Sequence, residues 1–500
     1  MIPMLTRSTP ATRRHPEWPE PTRHSRSSGA LFEARPALRK LVVMVDAEIM
    51  SITGSSLSSE SILVSLLGHP NVKLFRYTEA ETSERPAGSM TTDGNLAPGW
   101  ATISGKDADG RPQALISDED TLWHAWMPGN TGDYARQHTN ARAYSDLDPA
   151  HAAAQREKDG LALQVAAAAE ADVYITNRRY FFDLPDALAL GVTICDPKDA
   201  LALTALYLRE QDEFVVWRRT DGTTFYLDED LYYWVGMREL LPASWRWYTA
   251  CIQESSATSD AKLKRLAESM LIRVQRGFQA RDGFHATFNR IQNQGNSRSS
   301  VATLDTMLVL LMGAVDITAR IAHNILSLTT PTYLAGWQKD KWRRQVGQVD
   351  ASLAGLYATN SRNLHALTIL RLLRNTVHGE AIRNLPTRLS GGSIQTEIQL
   401  PADEEDDILA SMDALGGRAA WGARTATSGD VLINPSVFVE RLWPEILRLL
   451  NETMNATPVE RLSNVHLTPA DCAPPPDSTD GTPGLFDEAN RNSIRWQLGL

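Results

Sequence analysis

Leu41-Val42-Val43-Met44-Val45-Asp46-Ala47-Glu48 decides how the first half of the chain folds: five apolar residues in unbroken succession, closed by two acids. A run that is apolar on both alternating faces suits a strand buried inside a parallel sheet, and polar groups at its carboxyl end mark a common location of sites in α/β folds. Outward from it, residues 58–67 predict a crossover helix and 72–77 a second strand. The stretch from about 78 to 150 is rich in Gly, Pro, Asp and Thr, and its length predicts an insertion or a lid. Regularity returns with an Ala- and Leu-rich helix over 161–171 and strands over 173–176 and 192–195, separated by the polar turn Asn177-Arg178-Arg179. Asp196-Pro197 can cap a helix running from 198 to about 210, and the whole alternation reads as βαβ.

Texture then changes. Residues 211–250 hold ten aromatics around the hairpin signal Asp221-Gly222, and they suit a packed bridge between domains better than a stacking platform for bases. From about 260 the period becomes helical: Leu263, Leu266, Met270 and Val274 share a face, 304–328 predicts a long helix, and 351–356, 364–377 and 438–451 add others. The expected class is therefore α/β plus all-α, a parallel-sheet domain followed by a helical bundle. Its parts are a flexible basic arm (1–40), an α/β domain (41–208), an aromatic hairpin and bridge (209–258), a helical domain (259–455) and a flexible tail (456–500), Pro-rich over 468–484, whose last residues 494–500 either dock as a small motif or do nothing.

Five hundred residues exceed what one hydrophobic core usually organises. No uninterrupted apolar run reaches the roughly eighteen residues that a bilayer needs, so no membrane partner is expected. Cys195, Cys251 and Cys472 are too scattered for a disulfide framework or a thiolate metal site, which fits a reducing, cytoplasmic setting. The chain carries a net charge of −10, yet residues 260–380 hold sixteen basic and eight acidic residues, a local excess of eight positive charges. Such an asymmetry suits a polyanion partner, RNA in this reading; it equally suits the solvated face of a bundle.

Arg371-Leu372-Leu373-Arg374-Asn375-Thr376-Val377-His378-Gly379-Glu380 is the most informative stretch for chemistry. On a continuous helix Arg371, Arg374 and His378 fall within about 60 degrees of one another. Two permanent cations beside a titratable imidazole can clamp a phosphate and move a proton during attack of a ribose 2'-hydroxyl, and Asn375 can orient either group. Ordinary i,i+4 contacts near a helix end account for the same spacing.

This stretch resembles the signature of the HEPN superfamily, an Arg followed after four to six residues by His, often with Asn directly after the Arg. Arg371 satisfies that spacing to His378, whereas the Arg374-Asn375 pair leaves three residues between, so either Arg can be the equivalent one. The resemblance covers about 260–385 and implies metal-independent RNA cleavage at a homodimer interface, with an acid on an earlier helix, here Asp316, in support. It also implies a toxin or phage-defence effector, with a neutralising or sensor protein as a partner.

Residues 41–208 resemble a PIN-type nuclease domain, in Val43-Met44-Val45-Asp46, in 169–178 and in 191–201. That resemblance implies Mg²⁺ or Mn²⁺ held by Asp46 and Asp159, with Glu48 or Glu157 in addition, while Asn177 stands where an acid is expected. Three readings follow. The leading one is an endoribonuclease acting through Arg371, Arg374, Asn375, His378 and Asp316 without a metal. The others are a metal-dependent PIN-like nuclease and a noncatalytic protein that binds nucleic acid or a partner.

Overall fold

The apolar run forms strand β1 (Leu41–Asp46) at the centre of a seven-stranded sheet. The computed structural model describes residues 39–50, 58–79, 85–106, 112–119, 121–126, 141–182, 191–218, 222–290, 294–376, 382–388, 394–426, 428–479 and 483–500. After β1 come a one-turn helix (Ala47–Met50), α1 (Ser59–Leu67), β2 (Val72–Thr78), β3 (Trp100–Lys106), β4 (Pro112–Ser117) and β5 (Leu122–Trp126). Then follow α2 (Pro149–Ala168), β6 (Val173–Ile175), β7 (Thr193–Cys195) and α3 (Pro197–Arg209). The sheet order is β5-β4-β3-β2-β1-β6-β7, with β3, β2, β1, β6 and β7 parallel and β4 and β5 antiparallel. The expected parallel sheet is thus mixed. The described strands of 78–150 lengthen the sheet instead of forming a lid, because their apolar residues Trp100, Ala101, Ala114 and Ile116 are buried.

Helices cover both faces, which is why β1 is apolar on both. Leu63, Leu66 and Leu67 of α1 and Ala200, Leu201 and Leu208 of α3 pack with Val43, Val45, Val173 and Ile175. Ala162, Leu163, Val165 and Ala166 of α2 pack with Met44, Phe75, Ala101 and Tyr174. Local chemistry starts these helices where the sequence indicates. Ser58 forms a capping box on α1, and Asp148-Pro149 and Asp196-Pro197 place a carboxylate cap before a proline at the first position of α2 and α3.

The second region begins with a hairpin of β8 (Val215–Arg218) and β9 (Thr224–Tyr226), followed by α4 (Glu229–Leu240), α5 (Ser244–Thr258), α6 (Lys262–Phe288) and α7 (Gln294–Ile325). Tyr232, Tyr233 and Trp247 are buried here, so these aromatics are core and offer no surface for stacking bases. Helix α7 is long and apolar enough to cross a membrane by length and composition. Its apolar face is spent in the core, with Leu304, Leu308, Leu311 and Val315 buried among residues of its neighbours. Next come α8 (Asp340–Val349), α9 (Arg362–Asn375), β10 (Arg383–Arg388), β11 (Ile394–Gln399), α10 (Glu405–Ala414), β12 (Ala423–Thr425), β13 (Val431–Ile433) and α11 (Pro435–Ala456). Strands β10-β11-β13-β12 make an antiparallel sheet, so the second region is largely helical and not all-α.

The segment read as a flexible tail ends in α12 (Glu488–Gln497), whose Ile494 and neighbouring Leu498 are fully buried. A Cβ on Gly236 of α4 would lie 2.8 Å from Leu498 and 3.0 Å from Ile494, so the glycine creates the groove that receives them. Ser493 and Gln497 donate to the carbonyl of Val216, and the Trp217 indole donates to Asn490 at 2.8 Å. Leu41–Leu500 form one compact unit, with α12 tying the hairpin to α3 and α4.

Candidate functional site

Sheet order fixes where chemistry can collect in the first region. From β1 the chain passes to β2 on one side and reaches β6 on the other, so a topological switch point opens between the carboxyl ends of β1 and β6. Asp46 ends β1 opposite Tyr77 of β2, and Val45 pairs with Ile175, which brings Thr176 level with Asp46. Glu79 leaves the same end of β2, and α2 carries Gln155 and Asp159 to it. Into this space projects Arg178. Its Nη2 lies 2.6 Å from Glu79, its Nη1 3.0 Å from Asp159 and its Nε 3.4 Å from Asp46.

The remaining oxygens are also bonded. Asp46 accepts from the Tyr174 hydroxyl at 2.7 Å and from Thr176 at 2.6 Å. Asp159, with no solvent exposure, accepts from Tyr144 at 2.9 Å and Gln155 at 2.8 Å. Burial, then the adjoining carboxylates, push the phenols of Tyr77, Tyr144 and Tyr174 above their ordinary range and keep them protonated as donors.

Of the acids the sequence suggests for a metal, Asp46 and Asp159 meet here. Glu48 and Glu157 do not join them: both are exposed, Glu48 on the turn after β1 and Glu157 on the outer face of α2. Asn177 is exposed too, and its neighbour Arg178 points inward. Glu79 escaped sequence reading, since nothing near position 79 signals that it closes a cluster built from residues 99 positions away. Among the described residues, no group of three or more His, Cys, Asp or Glu side chains is placed to hold a metal ion.

The second cluster lies between α7 and α9. Trp337, fully buried, stacks on Tyr357 at 4.4 Å and donates to Thr318 of α7 at 2.9 Å. That anchor holds the next residue, Gln338, against Asp316, whose Oδ1 accepts from its amide nitrogen at 3.3 Å. Burial raises the Asp316 carboxyl above its usual range, against the opposing pull of the Gln338 hydrogen bond and of Arg320, Arg374 and Lys339. Two buried polar atoms here have no hydrogen-bond partner, Arg374 Nε and Gln338 Oε1. Arg374 is thus near enough to act on Asp316 through its charge, with no hydrogen bond or ion pair between the two.

Leu367, Leu370, Leu372 and Leu373 bury the apolar side of α9 and leave Arg371, Arg374 and Asn375 half-buried. The helix runs to Asn375, with Thr376 as its cap. His378, Gly379 and Glu380 lie outside the described residues. A cleft of about 150 Å³ is lined by Thr376, Ile382, Arg383 and Gln399, with Leu400, Pro401 and Ala402. Comparison of the chain with protein-family models, with curated proteins and with solved structures finds no match.

Proposed function

We propose that the protein is an endoribonuclease whose site is built on the end of α9. Arg374 binds the scissile phosphate, Arg371 adds a second cation, Asn375 orients the ribose and His378 carries the proton, with Asp316 as the supporting acid. The observation that carries this reading is the Arg374–Asp316 locale. A guanidinium nitrogen and an amide oxygen are buried there without partners beside an acid that burial makes costly to ionise. Unpaired buried polar groups cost stability, and sites that must receive a polar ligand are where such groups are tolerated. The eight-charge positive excess over 260–380 supports a polyanionic substrate. A dimer that brings two such sites together, an antiviral or toxic role, and a neutralising or sensor protein belong to the same proposal.

Purified full-length protein incubated with mixed RNA in EDTA tests it. Cleavage should persist in EDTA and fall by about 10²–10⁴-fold in His378→Ala, with folding unchanged by circular dichroism. Undiminished cleavage by that variant overturns the assignment. Cleavage that EDTA abolishes and that Asp46→Asn removes would move the activity to the first region; binding without turnover would favour the noncatalytic reading.

A further inference from the structure

We infer that Arg178 is the resident cation of the first region's acidic site, standing where a divalent metal would have to sit, so that one guanidinium ties three carboxylates into an ion-pair lock. Unlike the nuclease reading, this concerns the other end of the molecule and does not rest on it.

The donor set argues against a metal. A hard cation takes six or more oxygen ligands from carboxylates, carbonyls and water. Here one guanidinium reaches three carboxylates from three different elements, at 2.6 Å, 3.0 Å and 3.4 Å. Both oxygens of Asp159 are already acceptors, Oδ1 from Gln155 and Arg178 and Oδ2 from Tyr144. Both oxygens of Asp46 accept from hydroxyls, those of Tyr174 and Thr176. A divalent ion entering among these acids would meet the fixed positive charge of Arg178 and would have to displace the hydroxyl donors of Tyr144, Tyr174 and Thr176. The planar fork of arginine, always charged, suits this task where a lysine would satisfy one acid at a time. Arg178 also lies over the Tyr77 ring, 5.8 Å from its centroid, which fixes the guanidinium further.

Removing the guanidinium should turn the lock into a metal site. The probe is Mn²⁺ with the full-length chain, read by electron paramagnetic resonance and by thermal unfolding. Wild-type protein should leave stoichiometric Mn²⁺ free, and its Tm should be the same in Mn²⁺ and in EDTA. Arg178→Gln should unfold at lower temperature in EDTA, bind one Mn²⁺ and recover several degrees of Tm as the ion is added. Asp46→Asn in that background should abolish both effects. Arg178→Lys keeps a cation and should fold without taking up Mn²⁺. Stoichiometric Mn²⁺ binding by the wild type that Asp46→Asn removes overturns the inference, as does a folded Arg178→Gln that gains no Mn²⁺. Should Arg178→Gln fail to fold even with Mn²⁺, the wild-type and Arg178→Lys measurements decide: silence in both supports the lock, uptake in either overturns it. RNA cleavage is not read in any arm, so failure of the nuclease reading leaves the result intact.

Discussion

Two clusters in this molecule set arginine near acid, ion-paired in the first and without an ion pair in the second. Around Arg178, Asp46 and Asp159 have hydroxyl or amide donors beside the shared guanidinium, Asp159 is wholly shut from solvent, and Arg178 Nε is the one guanidinium nitrogen left without a hydrogen bond. Around Asp316, one amide hydrogen bond is made, and a nitrogen of Arg374 and an oxygen of Gln338 stay buried without partners. The first arrangement spends its charge internally and gains rigidity. The second keeps hydrogen-bonding capacity in reserve, as a surface that must accept phosphate oxygens has to.

The sharpest way to break that comparison is activity. Arg374→Ala should lower RNA cleavage by about 10²–10³-fold, as loss of one charge-stabilising donor does, while Arg178→Lys leaves the rate within a few-fold of wild type. Initial rates on one RNA substrate at saturating enzyme measure both, and equal losses would erase the distinction. Stability should show the reverse order. Arg178→Ala strands the buried charge of Asp159 beside the half-buried one of Asp46 and should cost about 3–5 kcal/mol by urea unfolding, whereas Arg374→Ala should cost less than about 1 kcal/mol. Within the first cluster, Tyr144→Phe removes one of the donors to Asp159 and should cost about 1 kcal/mol, distinguishing a shared network from a single dominant ion pair.

The smallest effect belongs to Asp316. Its carboxyl titrates higher in the fold than in the unfolded chain, so the folded state is penalised once pH rises through the folded value and is free of that penalty below the unfolded one. Asp316→Asn, which keeps the acceptor for Gln338, should therefore raise Tm at pH 8 and lose that advantage as pH falls towards 4. A stabilisation that is constant across the series would mean that ionisation of Asp316 is not its source.

Much of the architecture is legible in single residues. The Leu41–Asp46 run, the Asp196-Pro197 cap and the helical period of Leu304, Leu308, Leu311 and Val315 each announce their element because one helical turn or one pleat contains all the information required. Half of each candidate site is legible too: Asp46 and Asp159 in one, Arg374 and Asp316 in the other. Glu79 is not, because its neighbour in space lies 99 residues away, and Arg178 reads locally as one more polar turn residue. The end of α9 at Asn375 is equally hidden, since the apolar period continues to Val377 with no proline to stop it.

By itself, then, the sequence determined where strands and helices begin, which faces are apolar, and which residue types are on hand for acid, base and phosphate. Tertiary structure alone decided that β3, β4 and β5 extend the sheet, that the last helix docks in the groove left by Gly236 where the sequence left docking open, and that a guanidinium stands among the acids of the switch point. The division has a physical origin. Caps and periodicity act over a few bonds, whereas the partner of a buried charge is chosen by whichever segments packing brings within 3 to 4 Å, a choice that no local pattern encodes.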